Sequence, residues 1–200
     1  MKNVVKITSG KLRGRVISTP GGKTHPMGER ERLALFNMIS SDVPGAVVLD
    51  AYAGSGALGF EALSRGAKEV LFIDSNHKSE SCIMDNMLSL GYYELLDKNL
   101  VDELIRNAED KKPIHEETAD VMRIKVSQFE CKRKFDLILA DPPYDKFILD
   151  DIQHLVQFLT NDGVFVLSHP GDAPELQGLS LRKSHKYAGA TISVYVKSGD

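Results

Sequence analysis

Asp141-Pro142-Pro143-Tyr144 brings two hydrogen-bond acceptors and an aromatic ring together directly after the apolar run Phe135–Ala140. A planar exocyclic amine is a poor nucleophile, because its lone pair is delocalised into the ring that carries it. The Asp141 carboxylate can accept one N–H of such an amine. The Pro142 carbonyl can accept the other, on a backbone that Pro142 and Pro143 hold rigid. Fixing both hydrogens aims the lone pair at an electrophile and stabilises the positive charge that develops as the new bond forms. Tyr144 offers a ring face for a base to stack on. No separate strong base is required before transfer. A proline-stopped strand followed by an exposed turn is the bland alternative; the specific combination of residues argues against it.

A second stretch, Val47–Gly59 (VVLDAYAGSGALG), supplies the electrophile's site. An apolar strand ends at Asp50, turns through Tyr52, Ala53, Gly54 and Gly56, and enters a helix expected over Ala57–Arg65. Gly54, Gly56 and Gly59 spell G-x-G-x-x-G, which alone fits a dinucleotide whose pyrophosphate faces a helix N-terminus. Asp50 argues against that, since a carboxylate at the mouth of the strand repels phosphates. S-adenosylmethionine (SAM) has none. Its ammonium and sulfonium suit Asp50, and its carboxylate can take the helix N-terminal N–H groups. Asp74 ends the next strand, Val70–Ile73, twenty residues after Gly54, where it would accept from ribose hydroxyls. The expected cofactor contacts are Asp50, Tyr52, Ala53, Gly54, Gly56, Asp74 and Ser75, with Ser127 at the end of a later strand. The joint presence of Asp50, the glycines and Asp74 disfavours glycines that serve only a turn.

These residues need a scaffold, and the chain offers one. Two hundred residues, 42% hydrophobic and 26% charged, suffice for one domain with a real core. No apolar run reaches the roughly 20 residues of a membrane helix, and no signal-peptide core opens the chain. Cys82 and Cys131 form no C-x-x-C pair, so a reduced, cytoplasmic protein is expected. His115-Glu116-Glu117 lacks the second histidine of a zinc-binding H-E-x-x-H, and no metal is expected.

Apolar segments alternate as strand and helix: Val47–Ala51, Ala57–Arg65, Val70–Ile73, His77–Leu90, Val121–Val126, Phe135–Ala140, Ile148–Leu159, Val164–Ser168. That order predicts an α/β fold with a parallel sheet. Leu179–Tyr187 and Thr191–Val196 read as an antiparallel hairpin at the sheet edge. Asp50, Asp74, Ser127 and Asp141 all fall at carboxyl ends of strands, where ligands of open parallel sheets bind. Before this domain, Val4–Thr8 and Arg15–Ser18 are expected to pair as a hairpin, and a helix follows Glu29–Arg32. The division is an arm over 1–28 and a domain over 29–200, with 92–118 read as an insertion.

Charge is uneven. Residues 1–32 carry net +6 and the remainder −9. A basic arm on an acidic domain is an electrostatic footprint for nucleic acid. Lys11, Arg13, Arg15, Lys23 and Arg30 are the expected phosphate contacts; a merely solubilising tail is the alternative.

Asp-Pro-Pro-Tyr after an apolar strand resembles the catalytic motif of SAM-dependent amino-methyltransferases with a Rossmann-like fold. Together with DAYAGSGALGFEALSRGA and the basic arm, it is similar to the bacterial 16S ribosomal RNA (guanine-N2) methyltransferase family, the RsmD-like group. The resemblance is strong at Arg13–Arg15, Arg30–Asn37, Leu49–Ala67 and Phe135–Tyr144. It implies a seven-stranded, mostly parallel sheet with an antiparallel C-terminal hairpin, SAM as donor, and N2 of a guanine in 16S rRNA as acceptor. The partner would be that rRNA or an assembling small subunit, met by a monomer. Asp50, Gly54 and Gly56 would hold the methionine moiety, Asp74 the ribose, and Asp141, Pro142, Pro143 and Tyr144 the target base. The chain departs from the family pattern at His25-Pro26-Met27, where Arg-Pro-Thr is usual, and at Leu33, where glutamate is. Near the adenine it offers only Ser127 and Gln128.

Three other functions compete. A DNA adenine-N6 methyltransferase shares the tetrapeptide but usually needs a target-recognition domain for which this chain has little room. A glutamine side-chain methyltransferase would favour Asn in place of Asp141. A SAM- or RNA-binding module without catalysis is opposed by the intact Asp141–Tyr144.

Overall fold

The computed structural model describes residues 4–21, 27–92, 117–187 and 189–197. Most of the expected insertion, together with Lys23, His115 and Glu116, lies outside them. The strands are β1 (Val4–Lys6), β2 (Val16–Ser18), β3 (Val47–Ala51), β4 (Glu69–Asp74), β5 (Thr118–Arg123), β6 (Phe135–Ala140), β7 (Leu159–His169), β8 (Ser180–Lys186) and β9 (Thr191–Val196). The helices are α1 (Glu29–Met38), α2 (Ala57–Ser64), α3 (His77–Leu90) and α4 (Leu149–Val156).

Seven strands form one sheet in the order β5-β4-β3-β6-β7-β9-β8. The first five pair in parallel, and β9 joins β7 and β8 antiparallel. The expected Rossmann-like α/β fold with its C-terminal hairpin is therefore observed. β6 is buried at five of six positions, as an apolar strand covered on both faces must be. β9 is buried in the same way, while β8, the sheet edge, is exposed throughout. On one face, α1, α2 and α3 contribute Leu35, Phe36, Phe60, Leu63, Ile83 and Met87 to a large apolar cluster. On the other, α4 contributes Ile152, Leu155 and Val156 to a second cluster.

Two expectations on element ends needed correction. The strand expected over Val121–Val126 runs instead over Thr118–Arg123, because its register is set by pairing with Glu69–Asp74 of β4. Val126–Gln128 is a single 3-10 turn, so Ser127 lies beyond the strand and is exposed. The strand expected over Val164–Ser168 begins earlier, at Leu159, and contains an irregularity: Phe135 pairs with Leu159 and Leu137 with Val164, and Asp162 takes a left-handed φ of 64°.

β1 and β2 form the expected hairpin, with Val5 opposite Ile17. Val5, Ile7, Leu12 and Ile17 all enter the first core cluster. The connecting turn docks on the end of α2, where the Lys11 N–H reaches the Ser64 carbonyl at 2.8 Å and the Leu12 N–H reaches Ser64 Oγ at 2.9 Å. A buried ion cluster ties the same pieces together. Glu61 on α2 is 0% exposed and accepts from Thr8 N (2.8 Å), Thr8 Oγ1 (2.6 Å), Ser9 N (3.0 Å) and Arg65 Nε (2.8 Å). Arg32 on α1, 1% exposed, lies 3.6 Å from Glu61 and donates to the carbonyls of Lys6 (2.6 Å) and Met27 (3.1 Å).

Candidate active site

The register of the sheet decides which side chains meet. Asp50 is opposite Phe72 on β4 and Leu139 on β6, and Leu139 is opposite Val166 on β7. In-register residues of a parallel sheet share a face, and so do residues two apart. Asp50, Asp74, Asp141 and Ser168 therefore all project to the face that carries α2, at the carboxyl ends of adjacent strands. β3 and β6 are also where the strand order reverses, the place where open α/β sheets hold ligands.

The β3–α2 loop is built for close approach. Tyr52 takes φ 61°, a conformation that a bulky side chain adopts only under constraint, and Gly56 takes φ 79° as the N-cap of α2. Gly59 serves packing: a Cβ there would lie 2.2 Å from the Phe72 ring and 2.8 Å from Val70 Cγ1. With only hydrogen at that position, α2 sits down on β4 and its first turn reaches the sheet. The Gly59 N–H then donates to Asp50 Oδ2 at 2.8 Å. Asp74 closes the loop from the other side, accepting from Gly54 N at 2.9 Å and Asn76 N at 2.8 Å. Both Asp74 oxygens keep a second lone pair for a ligand hydroxyl.

Asp50 and Asp141 line one cavity of about 50 Å³, together with Tyr52, Ala53, Gly54 and Ser55. Thr19, Pro20 and Met27 wall it from the N-terminal segment. Burial drives the Asp50 carboxyl well above its usual range, the Gly59 N–H opposes that, and the charges of Asp141 and Asp74 add to it. Burial likewise pushes Asp141 up to about 6, against a hydrogen bond from Ser168. Asp50 and Asp141 thus share the cavity, and Asp74, outside its lining, adds its charge to Asp50. Ser55 Oγ is buried there without a partner among the described residues. A cationic ligand with hydrogen-bonding groups would relieve the like-charge repulsion and the orphaned hydroxyl together, and SAM fits those requirements. Ser75 is exposed beside Asp74, whereas neither it nor Ser127 borders the cavity.

The two prolines differ in a way the sequence does not show. The Pro143 carbonyl accepts from Lys146 N at 2.9 Å, closing the 3-10 turn Tyr144–Lys146. The Pro142 carbonyl carries no hydrogen bond among the described residues. Tyr144, 37% exposed, holds its hydroxyl 2.6 Å from Ser168 Oγ and leaves ring surface open. Burial raises its phenol, and Glu31 on α1 adds to the shift. Ser168, Glu31, Thr19, Pro20 and Met27 escaped the sequence reading. Only Ser168 had a signal, as a polar residue at the carboxyl end of an apolar strand.

The basic residues divide. Lys11 is paired with Glu117, and Arg15 donates to the Ser89 carbonyl at 2.7 Å. Arg13 and Arg30 are exposed, with no side-chain partner among the described residues.

This strand order with a glycine loop entering α2 is the fold of Rossmann-like methyltransferases. The chain superposes on the protein named "Putative methyltransferase yhhF from Escherichia coli" with a TM-score of 0.78 at 23% identity, over 99% of this chain and 100% of that one. It also superposes on the N-methyltransferase NodS from Bradyrhizobium japonicum WM9, solved with S-adenosyl-l-homocysteine, with a TM-score of 0.60 at 12% identity, over 88% and 90% of the two chains. Residues 5–196 match the family described as "Conserved hypothetical protein 95", and the chain belongs to that family. Among similar proteins, "Putative rRNA methyltransferase YlbH" of Bacillus subtilis (strain 168) is 29% identical over 98% of this chain and 100% of its own length. "Ribosomal RNA small subunit methyltransferase D" of Haemophilus influenzae is 32% identical over 72% of this chain and 65% of its own length. The family resemblance read from the motifs is borne out.

Proposed function

We propose that this chain is a cytoplasmic SAM-dependent rRNA methyltransferase, and that its acceptor is the exocyclic N2 amine of a guanine in small-subunit 16S rRNA. The observation that carries the reading is the pairing of a cavity lined by Asp50 and Asp141 with an unengaged carbonyl, among the described residues, on Pro142, the residue after Asp141. The names of the relatives supply the RNA class. When bound, SAM supplies a methyl group activated by the sulfonium. The chain's own residues do the rest. Asp50 and the β3–α2 loop hold the cationic end of the cofactor, and Asp74 its hydroxyls. Asp141 and the Pro142 carbonyl each accept one N–H of the amine, so that its lone pair is directed at the methyl group. The proton shed after transfer has the Asp141 carboxylate as its acceptor. Tyr144 stacks on the base, while Arg13 and Arg30 meet phosphates. In this reading residues 1–28 are the RNA-contacting arm and residues 29–200 the catalytic domain of a monomer.

The test is methyl transfer from labelled SAM to small-subunit particles, naked 16S rRNA and duplex DNA, with the product nucleosides identified. N2-methylguanosine is expected. Label in DNA adenine alone would refute the RNA assignment, and bound SAM with no transfer to any acceptor would refute the enzyme. Asp141→Ala is expected to abolish transfer while leaving SAM affinity nearly unchanged, because its carboxylate serves the acceptor. A large loss of SAM binding in that variant would show Asp141 to be misassigned.

A further inference from the structure

Ala140 pairs with Leu167 across β6 and β7, so the next residues on each strand, Asp141 and Ser168, stand side by side. Ser168 is 1% exposed. Its hydroxyl has one proton to give and lone pairs to receive with. Its Oγ lies 2.6 Å from Tyr144 Oη, and it neighbours Asp141 in register, where its hydroxyl acts to hold the Asp141 carboxyl down. The chemistry of the two neighbours fixes the direction of both bonds. An ionised Asp141 is an acceptor only, so the Ser168 proton must point at it. Ser168 then has only lone pairs left for Tyr144, whose phenol must donate.

We propose that Ser168 is a positioning residue of this site, its hydroxyl donating to Asp141 and accepting from Tyr144, so that the amine acceptor and the stacking ring are held as one unit. The inference rests on the amine-holding role proposed for Asp141. In the chain Tyr144 O–H to Ser168 O–H to Asp141, the carboxylate keeps a donor that stabilises its ionised form. The phenol is tethered at its far end, which leaves the ring face presented to a base. Other charges lie around the pair: Asp50 from β3, itself beside Asp74 from β4, and Glu31 from α1. All three are carboxylates, and they act alike with and without Ser168.

The experiment is the pH profile of kcat and the KM for RNA at saturating SAM, for the full chain and the variants Ser168→Ala, Ser168→Thr, Tyr144→Phe and Asp141→Asn. Asp141 must be ionised to accept the amine, and burial holds its carboxyl at about 6, so activity should fall as the pH drops through that value. Removing the Ser168 donor disfavours the ionised form further. In Ser168→Ala the acid limb should move up by about one pH unit, a tenfold loss of ionised fraction at pH below the limb. Ser168→Thr keeps the hydroxyl and should return the limb to its wild-type position. Tyr144→Phe should leave the limb in place and raise KM for RNA, since Ser168 still donates to Asp141 while the ring loses its tether. SAM affinity should stay unchanged in all three. An unmoved limb in Ser168→Ala, or a wild-type KM in Tyr144→Phe, overturns the inference while a dead Asp141→Asn upholds the role of the carboxylate. An Asp141→Asn enzyme with wild-type turnover overturns that role and this inference together.

Discussion

Glu61→Ala should be the most damaging single change away from the chemistry. Glu61 is 0% exposed, yet it accepts four hydrogen bonds, three of them from Thr8 and Ser9. It is also the countercharge of Arg32, which is 1% exposed and whose ionised form burial disfavours. Truncation leaves a buried guanidinium with the carbonyls of Lys6 and Met27 and the charge of Glu29 alone, along with orphaned N–H groups at Thr8 and Ser9. Breaking one side of a buried pair costs about 3–5 kcal/mol. At about 2–4 °C per kcal/mol for a chain of this size, the midpoint should fall by roughly 6–20 °C. Thermal unfolding followed by far-UV circular dichroism measures it, with a urea midpoint as check. Replacing both partners by apolar residues, Arg32→Met with Glu61→Leu, should cost less than Glu61→Ala alone, because no charge is then left stranded. The cluster also anchors Met27, which walls the cavity with Thr19 and Pro20, so SAM affinity should weaken in Glu61→Ala. A loss of under about 1 kcal/mol, or a double variant worse than the single, would refute the assignment of Glu61 as the clasp between hairpin and sheet.

Two further outcomes can be checked independently. Gly59→Ala places a methyl group 2.2 Å from the buried Phe72 ring; it should cost about 1–3 kcal/mol in the urea midpoint and weaken SAM binding as α2 is pushed off the sheet, and a wild-type midpoint would show that the packing yields. Arg13→Ala with Arg30→Ala should weaken RNA binding and flatten the slope of log affinity against log salt by roughly 1.4–1.8, whereas an unchanged slope would remove both from the phosphate-contacting surface.

Much of the fold was legible because its local and long-range preferences agree. Val47–Ala51 and Phe135–Ala140 are apolar runs broken only by Asp50 and Asp136, with glycine or proline just beyond, and both strands fall where the pattern puts them. His77–Leu90 runs from a capping Asn76 to a left-handed Gly91, and its ends match as well. The strand before Ser127 was misplaced because Thr118–Arg123 is half-exposed and carries no apolar period; only its pairing with β4 defines it.

The site divides in the same way. Sequence alone determined the chemical types and their order: carboxylates at the ends of strands, glycines where a helix must start tightly, and Asp-Pro-Pro-Tyr after a buried strand. Those features are local, since backbone conformation and side-chain chemistry at one position depend on a few neighbours. Tertiary structure decided which of them meet. Parallel register placed Asp50, Asp74, Asp141 and Ser168 on one face. The 3-10 turn engaged the Pro143 carbonyl and spared that of Pro142. Packing of the hairpin paired Lys11 and Arg15 with protein partners and left Arg13 without one among the described residues. Each of these depends on contacts between segments tens of residues apart, which no local pattern encodes.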